Sequence, residues 1–405
     1  MRWKLGGTLA VLALGALVLV LVLSRSGDDS SDQAPASGQA ADRVAPFGFF
    51  GTVFNPEGNL PGPVLDRQFA LMAGSGVESV RVPMHWSALE PSRGAYDWSS
   101  TDPLVAAAAR ARVQVLPNLL STPVWASERP QAARPDIWPP RDPALAAALV
   151  RRLVERYGPR GTFWAQNPSL PRMPVRWWQI WNEPMGRVHW AERPWAPSFT
   201  RFLRATSTAV HEADPGAKVV AASLATFNRY TSWDAARDLY RAGARPYFDI
   251  VSVHPFTNGA IPVGEGVDRV VKTVELVRRE MRRNGDAGKP VIITELSWPA
   301  ALGQVPRDRL LGLETTPSGQ AARLRAAYTR LAREHRQLGL RQVYWFNWAS
   351  EYDPNSPAAD VAFRFSGLTK LADDAFTPQP ILRTYAGVAA RYEGCRKGET
   401  AMACR

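Results

Sequence analysis

Cysteine is nearly absent from this chain: Cys395 and Cys404 stand close to its C-terminal end, and there are no others. Thiol chemistry therefore has no place in the body of the protein. The pair could close one small terminal loop (393–405) by a disulfide if that part of the chain lies outside the cell. Histidine is scarce too, at 85, 189, 211, 254 and 335, with no HExxH or other metal-ligand spacing, so no metal is expected. Neither GxSxG, a Walker A loop nor GxGxxG occurs. That argues against an elbow-type serine hydrolase, a P-loop NTPase and a dinucleotide enzyme, and no organic cofactor is expected. Lysine appears only at 4, 218, 272, 289, 370 and 397, yet the net charge is +12. Arginine supplies nearly all of the positive charge. It reads either as a coding bias or as attraction for an acidic partner such as an anionic polysaccharide or a lipid surface. Without a dense Lys/Arg run or a binding motif, nucleic acid is not an expected partner.

What is present begins with an apolar run. After Arg2 and Lys4, residues 5–23 read LGGTLAVLALGALVLVLVL without a charge. That is long enough to cross about 30 Å of hydrocarbon as a helix and longer than the usual signal-peptide core. Residues 1–23 are read as an uncleaved single-pass membrane anchor. A cleaved secretion signal, with APAS at 34–37 as a weak site, is the alternative. The preceding basic residues would keep the N-terminus in the cytoplasm and the rest outside. Residues 24–45, rich in Ser, Asp, Gln, Gly and Pro, read as a flexible linker. Trp3 reads as an interfacial anchor.

From Pro46 onward short apolar runs alternate with amphipathic ones. Strands are expected at 47–54, 77–82, 112–120, 175–181, 217–224, 248–253, 289–296 and 341–348. Helices are expected between them, including 64–73, 142–157, 198–213, 267–283 and 320–338, with a last one at 380–390. In the 267–283 stretch Val267, Val270, Val271, Val274, Val277 and Met281 fall on one helical face. Eight apolar strands alternating with helices predict a parallel α/β sheet, closed as a (β/α)8 TIM barrel over 46–392; the length suits that fold. A doubly wound sheet would want a glycine-rich turn after its first strand, and none is there.

A TIM barrel places its active site at the C-terminal strand ends. There the sequence delivers Arg81, then His85 and Trp86; Asn118, Thr122 and Trp125; Asn182 and Glu183; His254; Glu295 and Trp298; and Trp345, Asn347 and Trp348. Glu183 and Glu295 stand out. One ends the apolar run VRWWQIWNEP and the other ends VIITEL. A pair of carboxyl groups facing each other across the mouth is what a retaining glycosidase uses, one as nucleophile and one as acid/base. The tryptophans around Glu183 are expected to raise its pKa, as suits a general acid. Taken alone, Asn-Glu-Pro could be a helix start, and Glu295 could simply pair with an arginine such as Arg81.

WNEP at 181–184 and ITELSWP at 293–299 resemble the acid/base and nucleophile signatures of the clan A glycoside hydrolases. SVRVPMHWSALEPSRGAYDW (79–98), DIVSVHPF (249–256) and FSGLTKLADDAFTPQPILRTYAGV (365–388) extend the resemblance over Pro46 to Tyr392. It is closest to family 39-like β-xylosidases and exopolysaccharide glycosidases, with families 5, 42 and 53 related. The resemblance implies that Glu183 is the acid/base, Glu295 the nucleophile, Asn182 a ligand of the sugar 2-hydroxyl, and Arg81 the group that keeps Glu295 ionised. His254 would line the reactive subsite and Trp345 or Trp348 would floor it. Trp86, Trp125 and Trp298 suit stacking against neighbouring sugar rings. His85 and His189 are further candidates, each with a structural reading of equal standing, while Asn118 reads more readily as a cap or turn than as a substrate ligand.

One position departs from the pattern. Where these families carry His-x-Tyr after the sixth strand, this chain has His254-Pro255-Phe256, so no hydroxyl is offered to the nucleophile. The expected protein is a monomeric retaining glycoside hydrolase acting on β-linked extracellular oligo- or polysaccharide. Alternatives are a carbohydrate-binding pseudoenzyme of the cell surface and a transglycosylase.

Overall fold

Short, mostly buried strands set the architecture. β1 (Phe50–Val53), β2 (Ser79–His85), β3 (Gln114–Leu120), β4 (Trp177–Ile180), β5 (Lys218–Val220), β6 (Leu224–Ala225), β7 (Val251–His254), β8 (Val291–Leu296) and β9 (Leu340–Trp345) make one sheet in the order β5-β4-β3-β2-β1-β9-β8-β7-β6. Every neighbouring pair is parallel. β5 and β6 are two pieces of one interrupted stave, and bridges from Asn182 to Ser223 and from Val220 to Ile250 close the ring. The result is the expected eight-staved (β/α)8 barrel. The structure, a computed structural model, describes residues 45–55, 60–227, 229–351, 362–372 and 375–393, all within the compact unit Asp42–Arg405. The anchor at 1–23, the linker up to residue 44 and both cysteines lie outside the described residues. Among the described residues no helix is long and apolar enough to cross a membrane.

The helices form where period and caps agree. Asp142 caps Pro143–Tyr157 by accepting from the Ala144 N–H, and Thr231 with Asp234 makes a full capping box at Ser232–Arg241. In Val263–Arg283 all six residues of the expected apolar face are buried. Each such side chain is worth about 1.5–3 kcal/mol removed from water, which holds the helix to the sheet. A three-stranded sheet of β10 (Ala349–Glu351), β11 (Thr369–Ala372) and β12 (Ala375–Pro378) was not foreseen. Its short strands carry no clear alternation.

Side chains alternate between the inside of the barrel and the helix layer, as strand geometry requires. Val53, Leu116, Val220, Ile250, Ile292 and Tyr344 pack together as an interior floor. Gly51 leaves room for Tyr344: a Cβ there would come within 2.5 Å of its ring and 2.8 Å of the Ser79 Oγ. Gly51→Ala is expected to cost about 1–3 kcal/mol through overpacking, read as a lowered urea midpoint with an unchanged slope.

Candidate active site

A polar layer lies above the apolar floor. Gln179 of β4 donates to the Ser223 Oγ (2.7 Å) and the Ser252 Oγ (3.2 Å); Thr294 meets Ser223 (3.0 Å) and Ser252 (3.2 Å). Arg81 is anchored in this layer. Its Nε donates to the Gln179 Oε1 (2.6 Å), its Nη1 to the Glu295 Oε1 (2.7 Å) and its Nη2 to the Asn182 Oδ1 (2.7 Å). With its amide oriented to satisfy both ends, Asn118 also accepts from Nη2 (2.7 Å) and donates to the Trp181 carbonyl (2.9 Å). One buried guanidinium therefore orients a carboxylate and three amides at once, a use of its planar fork that a lysine could not copy.

Glu183 and Glu295 meet across His254. The His254 Nδ1 is 2.6 Å from the Glu183 Oε1 and 3.6 Å from the Glu295 Oε2, while its Nε2 rests 3.0 Å from the Thr294 Oγ1. One oxygen from each carboxylate and one ring nitrogen all lie within 4.8 Å of one another. That trio has the spacing to hold a cation, but the Arg81 charge on Glu295 opposes one there. Thr294 and Glu295 are consecutive, yet both join this network. Register irregularities between β8 and β9 on either side of Ile293 break the alternation, a device that re-aims side chains beside active sites. Trp181 and Glu183 both have left-handed backbones, at φ 71° and 43°. Such conformations cost non-glycine residues on the order of 1–3 kcal/mol and concentrate where function demands a geometry.

The sequence reading of Glu183 needs correction. Trp178 and Trp181 are buried against the helix layer, Trp181 edge-on to Trp190 (5.0 Å) and Phe202 (5.6 Å). Glu183 faces two imidazoles instead. His189, unremarked as a partner in the sequence, places its Nε2 3.1 Å from the Glu183 Oε2, and the Trp181 indole donates to the His189 carbonyl (2.9 Å). Burial works to raise the Glu183 pKa, but the hydrogen bonds from His189 and His254 outweigh it and hold the carboxyl well below the usual range. Folding thus favours the ionised form. That contribution to stability is present above the ordinary carboxylate range and is lost as the pH falls through the lowered value. Removing His189 removes the leading hydrogen bond. The Glu183 pKa in His189→Ala is expected to rise, seen as a carboxyl resonance titrating at higher pH than in the parent.

Four tryptophans are also reassigned. Trp86, Trp298, Trp345 and Trp348 are fully buried, so no sugar ring can stack on them. Their indole N–H groups are spent on the Glu90 Oε2 (2.8 Å), the Thr257 Oγ1 (3.1 Å), the Ser366 carbonyl (2.7 Å) and the Gln68 Oε1 (3.0 Å). Strand parity explains Trp345: Tyr344 and Phe346 face the interior, so the residue between them points out. Trp125 is half-buried, edge-on to Trp86 and bonded to the Glu90 carbonyl (3.0 Å). His85 is exposed at the end of β2 and bonds the Ser121 Oγ (2.9 Å), apart from the carboxylate network. The aromatic wall beside the carboxylates is phenylalanine. Phe256 lies 6.0 Å from His254, and Phe363 lies 5.4 Å from Phe256 and 5.1 Å from Phe346. Phe346 could have been found by counting alternate residues along β9.

The comparisons agree with the barrel fold. The β-galactosidase model of glycoside hydrolase family 42 matches residues 53–178, a stretch with Arg81 but neither carboxylate. A family 39 glycoside hydrolase from the gut symbiont Bacteroides cellulosilyticus superposes with a TM-score of 0.55 at 17% identity, covering 86% of this chain and 64% of that one. A glucosidase from Croceicoccus marinus gives 0.59 at 15% identity, with 84% and 67% covered. The chain has the fold of the clan A glycoside hydrolases. A family 5 mannosidase from Rhizomucor miehei shares that clan A barrel at a TM-score of 0.53 and 14% identity, covering 82% of this chain and 87% of its own. The chain spans 64% of the length of the Bacteroides protein and 67% of the Croceicoccus one. No curated protein matches it.

Proposed function

We propose that this protein is a retaining glycosidase that cleaves β-linked sugars through a glycosyl-enzyme intermediate. The observation that carries the reading is the placement of Glu183 and Glu295 oxygens within 4.8 Å of each other at one barrel mouth. Retaining enzymes hold their carboxyl groups about 5–5.5 Å apart, while inverting ones leave about 6.5–9.5 Å for a water. Glu295, ion-paired to Arg81, is the nucleophile: it attacks the anomeric carbon as the bond to the leaving oxygen breaks. Glu183 delivers a proton to that oxygen and then takes one from the water that releases the sugar. His189 and His254 each contact one oxygen of Glu183, at 3.1 Å and 2.6 Å, and so orient the carboxyl group that carries this proton. Asn182, fixed by Arg81, is placed to bond the sugar 2-hydroxyl, and Phe256 and Phe346 supply apolar surface for the ring.

The substrate is an oligo- or polysaccharide outside the cell, and the barrel is held at the membrane by residues 5–23. The supports for this location are the uncharged run and the basic residues before it. A panel of aryl β-glycosides with the purified protein tests the activity: release of the aryl group from at least one sugar is expected, and glycan binding without release from any would favour the pseudoenzyme. Phe256 is the residue that favours that second reading. Among the described residues, Arg81 is the hydrogen-bond partner of Glu295. Phe256→Tyr would offer a second donor, and a several-fold rise in kcat with little change in KM is expected.

A further inference from the structure

The other end of the barrel carries a second feature. Where the strands begin, a cavity of about 480 Å³ is lined by Arg172, Arg176 and Arg341. Beside it a second cavity, also about 480 Å³, is lined by Arg278, Lys289, Arg336 and again Arg341. Arg341 and Pro46 border both, so the two form one furrow. Not one of the lining residues of either cavity is acidic. Two of the cations are partly answered from outside the furrow, Arg176 by Asp214 (3.3 Å) and Lys289 by Asp286 (2.9 Å). Arg172, Arg278 and Arg341 form no ion pair among the described residues, while Arg278 is held in place by the Ala287 (3.0 Å) and Lys289 (3.1 Å) carbonyls.

We propose that this furrow binds a strand of carboxylated polysaccharide, remote from the reacting carboxylates. Positive charge gathered in a concave site with no carboxylate in its lining focuses potential on an acidic chain. The walls suit sugar better than a flat headgroup layer. The first cavity is recessed between strand starts and lined by Phe47, which is 40% exposed, half-buried Trp177, and the amides of Gln114 and Gln342. Aromatic faces stack on sugar rings, amides bond hydroxyls, and guanidinium groups take carboxylates in bidentate fashion. The two cavities in series would hold consecutive residues of one strand. This binding does not depend on the glycosidase reading.

The test uses the full chain in a neutral detergent, with polygalacturonate as probe and uncharged dextran as control, followed by titration calorimetry. The parent should bind polygalacturonate and not dextran, and 0.5 M salt should weaken binding by about tenfold or more. Arg172→Glu with Arg341→Glu should abolish binding, and Arg172→Gln with Arg341→Gln should weaken it about tenfold, with both melting curves unchanged. Undiminished binding by the charge-reversed protein would overturn the proposal. So would a parent that ignores polygalacturonate, including one that instead gathers on phosphatidylglycerol vesicles.

Discussion

Replacing Glu295 by alanine is expected to reduce turnover of an aryl β-glycoside by about 10³-fold or more, equivalent to roughly 4 kcal/mol or more of lost transition-state stabilisation. The side chain is partly shielded, and its removal leaves a small space on the face of the sugar opposite the leaving group. Azide can fill that space. It attacks the anomeric carbon directly while Glu183 still protonates the leaving oxygen, so the product is a glycosyl azide of inverted configuration. Recovery of the rate with azide, together with that product, assigns the nucleophile. A Glu295→Ala protein as active as the parent without azide would remove Glu295 from the reaction. Folding is not at stake in the same degree, because the Arg81 guanidinium keeps its bonds to Gln179 and Asn182.

Arg81 is where stability and chemistry are most tightly joined. Its side chain is only 4% exposed and its partner Glu295 13%. Arg81→Met leaves Glu295 without its counter-charge and strips a donor from Gln179 and Asn182. Breaking a buried pair from one side costs about 3–5 kcal/mol, which for a barrel of this size lowers Tm by about 4–7 °C. The loss of activity should exceed what the melting curve explains, on the order of 10²-fold in kcat at a temperature where the variant is folded. Arg81→Lys restores a charge but not the fork. It should recover most of the Tm and little of the kcat, a split that separates orientation from charge. Equal recovery of both would mean that charge alone is needed.

The legible parts of the molecule were those fixed by local period and by strand ends. The valine face of Val263–Arg283, the eight staves and the arrival of Arg81, Asn118, Asn182, Glu183, His254 and Glu295 at one mouth all follow from where apolar runs begin and stop. What could not be read was direction. A tryptophan at a strand end looks alike in sequence whether it faces sugar or helix, and Trp345 and Trp298 went outward. The Glu183 environment was misjudged for the same reason: neighbours in sequence point to the opposite side of the stave, and its true neighbour His189 arrives from a loop whose path no periodicity encodes. Thr294 and Glu295 are consecutive yet share one network where β8 and β9 shift register on either side of Ile293, and nothing in VIITEL announces that irregularity.

The central claim is that two carboxylates this close do their work by double displacement. Proton NMR of the sugar released in the first minutes of hydrolysis, before mutarotation, tests it most directly. A β-glycoside should yield the β-anomer first. First appearance of the α-anomer would show a single displacement by water and contradict the account.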